Sequence, residues 1–304
     1  MKLNPTFSKL TRRGFLKLGG VSLAAALLPV EKVFARQETH LGRVLLGSIQ
    51  VFEEPSFFAR QVASYWKDMV LPMVQKVTGE ATERNGPDWA QIGNLGYTHL
   101  SWLQPVEVNF QLPAEDLVFT GSLAVVTVPF ADVYEKPSED SPRLYRYYYS
   151  TTHWVDKIQK DAFGNAWYRV MDDKFPDRER WVRANRLRVI PYEELAPISP
   201  DVPAEEKHLE VYLEEQRMAA FESGKQVFEA VISTGDYVAN PQYHTPPGHF
   251  RKFGQMVGGL DSSHGCVNLK PDDARWVYLW STPEMRPYNQ LQYSETSGTR
   301  VDVI

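Results

Sequence analysis

Val51-Phe52-Glu53-Glu54-Pro55-Ser56 returns 82 residues later as Val133-Tyr134-Glu135-Lys136-Pro137-Ser138, and this pair of stretches sets the reading of the fold. Each is a short run of β-formers stopped by a proline turn, the pattern of a strand running into a tight loop. Two further echoes keep nearly the same offset: Gly86-Pro87-Asp88-Trp89 against Gly164-Asn165-Ala166-Trp167 at 78, and Val106-Glu107-Val108 against Leu187-Arg188-Val189 at 81. Offsets that agree within a few residues predict an internal duplication with changes in loop length. Two unrelated β segments sharing common turn residues are the alternative. Runs such as 123–128, 167–171 and 180–182 are β-branched or aromatic and are separated by Pro, Gly and Asp, which predicts small barrels over 40–112 and 118–190.

Residues 191–206 carry Pro191, Pro197, Pro200 and Pro203 among acidic residues, the composition of a stiff, extended linker. A last domain, 207–304, follows. Leu209, Val211 and Leu213 alternate on one face, then 218–221 and 227–232 read as further strands of a meander turned by Ser223-Gly224-Lys225. Pro271-Asp272-Asp273 predicts a helix start, with Pro near N1 and acids in the first turn, running through Trp280. Residues 299–304 predict a closing strand. The fold class is mainly β with one short helix.

The chain has 304 residues, 43% hydrophobic and 23% charged, which excludes collagen-like, low-complexity and fully disordered readings. At about 100–150 residues per domain, two or three domains fit. Net charge is −5, and no Lys/Arg run is long enough to track a phosphate backbone, so nucleic acid is excluded as a partner.

Residues 1–35 read as a leader: Lys2, Lys9, Arg12 and Arg13 precede an apolar stretch over 18–30, and Val33-Phe34-Ala35 is a small-residue cleavage site. A basic amphipathic N-terminal helix is the alternative. Thirteen apolar residues fall short of the roughly 18–20 that cross a bilayer, and no transmembrane anchor is expected elsewhere. Removing 1–35 takes away six basic and one acidic residue and leaves 27 basic against 37 acidic, net −10. An acidic exported chain would engage a cell wall through shaped pockets rather than by charge.

Cys266 is the sole cysteine, so no intramolecular disulfide forms. It lies in Ser262-Ser263-His264-Gly265-Cys266-Val267-Asn268-Leu269, two residues after a histidine. A thiol near pKa 8.5 needs an imidazole or aligned amides to supply thiolate, and Gly265 allows consecutive N–H groups to converge on a developing oxyanion. Nucleophilic acyl transfer is one reading of this run. A buried, inert Cys beside a structural His is the other.

The run Ser263-His264-Gly265-Cys266-Val267-Asn268 resembles the signature of the L,D-transpeptidase catalytic domain, the YkuD family. Residues 209–221 resemble the family's first hairpin with its Glu215-Gln216-Arg217 turn. Val231-Ile232-Ser233-Thr234-Gly235 resembles its Ser-Thr-Gly strand end, and Thr245-Pro246-Pro247-Gly248-His249-Phe250 its Thr-Pro-x-Gly-x-Phe segment. Residues 118–190 resemble a bacterial SH3-like domain, with 40–112 as its repeat, and Thr11-Arg12-Arg13-Gly14-Phe15-Leu16-Lys17 resembles a twin-arginine export signal.

The resemblance implies SH3-like small barrels followed by an L,D-transpeptidase β-sandwich, exported by the twin-arginine (Tat) machinery to the periplasm or cell wall. It implies Cys266 as nucleophile on peptidoglycan tetrapeptide stems, passing the acyl group to an amine during cross-linking or remodelling, with no metal or organic cofactor. It gives His264 a supporting role, Gly265 an oxyanion-hole amide, and Ser263 and Asn268 contacts with substrate. The family's upstream proton-shuttling His is missing from the short connection 251–262. His249 is the first stand-in, with His244 and His264 behind it. Two other readings stand beside this one: a catalytically impaired peptidoglycan-binding protein, and a cysteine endopeptidase of the NlpC/P60 type. The latter family places its Cys well before its His, unlike this chain.

Overall fold

A computed structural model describes residues 40–82, 86–118, 120–171, 178–235, 244–251, 266–283 and 298–304. The leader 1–35 lies outside the described residues, as do Ser263, His264 and Gly265. The chain is mainly β, with three sheets and, among the described residues, one α-helix.

The first sheet holds β1 (His40–Val44), β2 (Ser48–Phe52), β3 (Gln61–Trp66), β4 (Val70–Thr78), β5 (Asp88–Ile92), β6 (Gly96–His99) and β7 (Leu103–Val106), ordered β3-β2-β6-β5-β4-β1-β7. The second holds β8 (Ser122–Val126), β9 (Phe130–Tyr134), β10 (Arg143–Tyr148), β11 (Thr152–Lys160), β12 (Ala166–Val170), β13 (Trp181–Arg183) and β14 (Leu187–Val189). Its order, β10-β9-β13-β12-β11-β8-β14, is the same permutation.

Turns repeat as well. Ser56 N donates to Glu54 O and Ser138 N to Lys136 O, while Asp68 N donates to Val44 O and Ser150 N to Val126 O. Asp68 and Ser150 both take positive φ, 69° and 64°. Trp89 and Trp167 are fully buried, and each indole N–H finds an acceptor, Glu80 O at 2.8 Å and Asp161 Oδ2 at 3.0 Å. The third sequence echo is shifted, however. Val44 pairs with Leu103 and Val126 with Leu187, so Leu103 matches Leu187 at an offset of 84 rather than Val106 matching Leu187. Short strands of common β residues do not fix their own register; the ladder does.

Each sheet buries its own inner face, Val44, Ile49, Val51 and Leu71 in the first, Val126, Ala131, Val155 and Tyr168 in the second. A single sheet encloses a core in this way only by coiling round on itself. The two copies meet at Asp68, whose carboxylate accepts from Arg43 at 2.7 Å and from Arg146 of the second copy at 2.9 Å. Arg43 is 3% exposed and lies over the Tyr148 ring.

Residues 191–206 are less extended than their prolines suggest. Pro191 and Pro203 each stand just before a 3-10 turn, Tyr192–Leu195 and Ala204–Glu206, as its N-cap: their fixed φ goes with an extended ψ of 145°, and the chain turns helical at the next residue. Beyond them come β15 (Lys207–Tyr212), β16 (Arg217–Glu222), β17 (Lys225–Ser233), β18 (Gly248–Arg251), β19 (Asn268–Leu269), α1 (Pro271–Trp280) and β20 (Arg300–Val303). The sheet order is β18-β20-β15-β16-β17-β19, with β20 parallel to β15 and the other pairs antiparallel. Helix α1 covers the sheet through Trp276 stacked on Phe228 and through buried Trp280. Buried Lys207 donates to the carbonyls of Ile198 and Trp280, fastening the linker and the helix C-terminus to the first strand. No helix among the described residues is long and apolar enough to cross a membrane.

One difference between the duplicated sheets places a titratable group where the other copy has a core residue. His153 pairs with Ala124 as Leu71 pairs with Gly42, so it replaces a core leucine. Its ring keeps an exposed edge, yet Tyr147 stacks on it and burial pushes its pKa down to about 3. The folded state therefore holds His153 neutral while the unfolded chain protonates below about 6.5. Stability is full above that pH and falls as pH drops from 6.5 towards 3. His153→Leu is expected to flatten this slope, read as melting temperature against pH.

Candidate functional site

Cys266 stands just before β19, a two-residue strand that extends the sheet beyond β17 through the pairs Ile232–Leu269 and Ser233–Asn268. Alternation sets what faces out. Val267 and Leu269 pack against the core of the third sheet, which leaves Cys266 and Asn268 exposed on the other face. The thiol is free and exposed, so it is not a buried core cysteine.

The Asn268 side chain turns back on the main chain. Its Nδ2 donates to Ser233 O at 3.1 Å and to Cys266 O at 3.3 Å. Through these bonds Asn268 ties the cysteine's carbonyl to the end of β17. Ser263, His264 and Gly265, the other residues of the run, lie outside the described residues.

His249 is placed elsewhere. It lies on β18, the edge strand opposite β19, five strand spacings of about 4.8 Å away along the sheet. Its Nδ1 pairs with Asp302 Oδ1 at 2.8 Å, Arg300 Nε holds the other oxygen of that carboxylate at 3.1 Å, and the imidazole is 83% exposed. The structure gives His249 an orienting carboxylate but brings it no hydrogen bond with Cys266. The strand order causes this, because β20 inserts between β18 and β15.

His244 is differently tied. The next residue, buried Thr245, accepts through Oγ1 from Gly235 N at 3.0 Å, so the loop bearing His244 is fastened to the same strand end that carries Asn268. Sequence reasoning ranked this histidine behind His249. The fold joins the two segments Ser-Thr-Gly and Thr-Pro through this one hydrogen bond.

Gln216, in the turn between β15 and β16, was not singled out as a site residue. Its side chain reaches Thr234: Nε2 donates to Thr234 Oγ1 at 2.6 Å and Oε1 accepts from Thr234 N at 2.9 Å.

Asn268→Asp, which removes the amide donors and sets a carboxylate against two carbonyls, is expected to loosen the cysteine segment without unfolding the sheet. Hydrogen exchange at 266–269 would speed up roughly fivefold to thirtyfold, in line with about 1 kcal/mol for each of the two lost hydrogen bonds and partial compensation between them.

No family model matches the chain, and no curated protein matches it. Among solved structures it is similar to NlpC1 from Trichomonas vaginalis, with 10% identity and a TM-score of 0.19 over 61% of this chain and 60% of that one. It is also similar to an NlpC/P60 family protein from Bacillus cereus ATCC 10987, at 16% identity and a TM-score of 0.18 over 53% and 60% of the two chains. A third is NlpC2 from Trichomonas vaginalis, at 11% identity and a TM-score of 0.18 over 87% and 98%. The chain spans 60% of the length of each of the first two. Likeness at this level carries neither fold nor activity over to this chain.

Proposed function

We propose that the chain is an exported peptidoglycan L,D-transpeptidase whose nucleophile is Cys266, with the two seven-stranded sheets acting as SH3-like modules that localise it. The observation that carries this reading is the exposed, free thiol of Cys266, braced on a strand end within the run Ser263-His264-Gly265-Cys266-Val267-Asn268. Residues 1–35 would direct it through the twin-arginine machinery, and it would work in the periplasm or cell wall.

In this reading the Cys266 thiolate attacks the carbonyl carbon that precedes D-Ala in a tetrapeptide stem. The C–S bond forms, the oxyanion takes N–H bonds from the Gly265–Cys266 backbone, and collapse breaks the C–N bond as the departing D-Ala amine gains a proton. An acceptor amine then attacks the thioester, loses a proton to the site and releases the thiolate. His264 supports the thiol from two residues away. Between the other two histidines we give the proton-carrying role to His244, whose loop is fastened to the strand end of the cysteine. The endopeptidase reading ranks below these because the histidine precedes the cysteine by two residues.

Intact-protein mass spectrometry after incubation with a carbapenem tests the reading. One adduct is expected on the native chain and none on Cys266→Ala, with His249→Ala acylated at the native rate and His244→Ala slowed about tenfold or more, within the usual contribution of general acid–base groups. A folded protein that takes no adduct would make it a wall-binding protein without catalysis.

A further inference from the structure

Among the described residues, Gln216 is the one long side chain held in the left-handed backbone region, at φ 50°. The other non-glycine residues with positive φ are Asp68, Ser150, Ser199 and Ser223, all short polar types. The next hairpin, between β16 and β17, meets the same backbone need with Ser223-Gly224. A glutamine at such a position costs backbone free energy that glycine or asparagine would spare, so its side chain must return something.

What it returns is a clamp on the end of β17. The amide of Gln216 exchanges two hydrogen bonds with Thr234 and gives a further one to Leu213 O at 2.6 Å, while its own carbonyl accepts from Ile232 N at 2.8 Å. Ile232, Ser233 and Thr234 are thus gripped from the hairpin side. Their other side carries the cysteine segment, through the β19 pairs and through Asn268 on Ser233 O. Gly235, one residue on, holds Thr245. Hydrogen bonds therefore tie Gln216 to Thr234, and Ser233, its neighbour along the chain, to Asn268 and through it to the Cys266 carbonyl.

We propose that Gln216 is a positioning residue for Cys266, holding the strand end on which the thiol is aimed. Its effect on rate rests on the transpeptidase reading above, whereas the clamp itself does not. The tests use the full chain. Gln216→Gly removes the side chain and relieves the backbone, so the melting temperature is expected to stay level or rise. Carbapenem acylation of Cys266 is expected to fall about tenfold to a hundredfold, the scale on which small misplacements of reacting groups act. Hydrogen exchange at 266–269 should quicken in the same variant. Gln216→Glu keeps the acceptor for Thr234 N–H and loses the donors, and is expected to recover part of the rate.

Native acylation rate and native exchange in Gln216→Gly would overturn the proposal. If the native chain takes no carbapenem, the functional reading fails by itself. The clamp is then read from the rate of Cys266 alkylation by iodoacetamide and from exchange at 266–269, altered in Gln216→Gly if the proposal holds and unchanged if it does not. Should Gln216→Gly fail to fold, Gln216→Asn, which suits the left-handed turn but is one methylene too short for Thr234, gives the same comparison.

Discussion

Ile232, Ser233 and Thr234 are the point at which the hairpin turn, the Thr245 loop and the cysteine segment converge. β19 contributes only two ladder pairs, and a strand that short does not hold itself on a sheet edge. Side-chain amides supply what the ladder lacks: Gln216 from within the sheet and Asn268 from its edge, both donating to groups at the end of β17. The exposure of Cys266 follows from the same arrangement. Alternation along a braced strand sends Val267 and Leu269 inwards and leaves the thiol outside.

The first two sheets show how one backbone plan carries two different sets of side chains. Strand order, the proline-led turns and the buried tryptophans are shared. The joint between the copies is one-sided. Asp68 and Ser150 occupy equivalent left-handed turns, and Arg146 occupies the place of Ser64, so only the first copy has the carboxylate and only the second the arginine that meets it. Arg43, nearly sealed from water, could not stand there without that carboxylate, because an unpaired buried guanidinium is strongly unfavourable. His153 in place of Leu71 is a second divergence, in which the fold keeps the ring neutral.

Much of the architecture was legible because it is local. The 82-residue echo reproduces the turn at Pro55 and Pro137, and Trp89 and Trp167 occupy matching strands. Pro271 followed by two aspartates marks the start of α1 where the helix begins. The third echo was displaced by three residues, since Val-Glu-Val and Leu-Arg-Val carry no turn residue to fix them. The prolines of 191–206 read as extended chain, but two of them stand just before 3-10 turns, a choice that packing against the barrel and the helix makes.

For the site, the sequence by itself determined that the only thiol sits two residues after a histidine beside a glycine, and that the surrounding chain is β. It left open whether that thiol is buried and on which strand of the sheet His249 falls relative to it. Only the tertiary structure decided these. β20 comes last in the chain yet inserts parallel to β15, placing β18 and His249 on the edge away from Cys266, while Thr245 draws the His244 loop to Gly235. The physical reason is that strand order and loop docking depend on pairings between residues far apart in sequence, which no local pattern of residue types encodes.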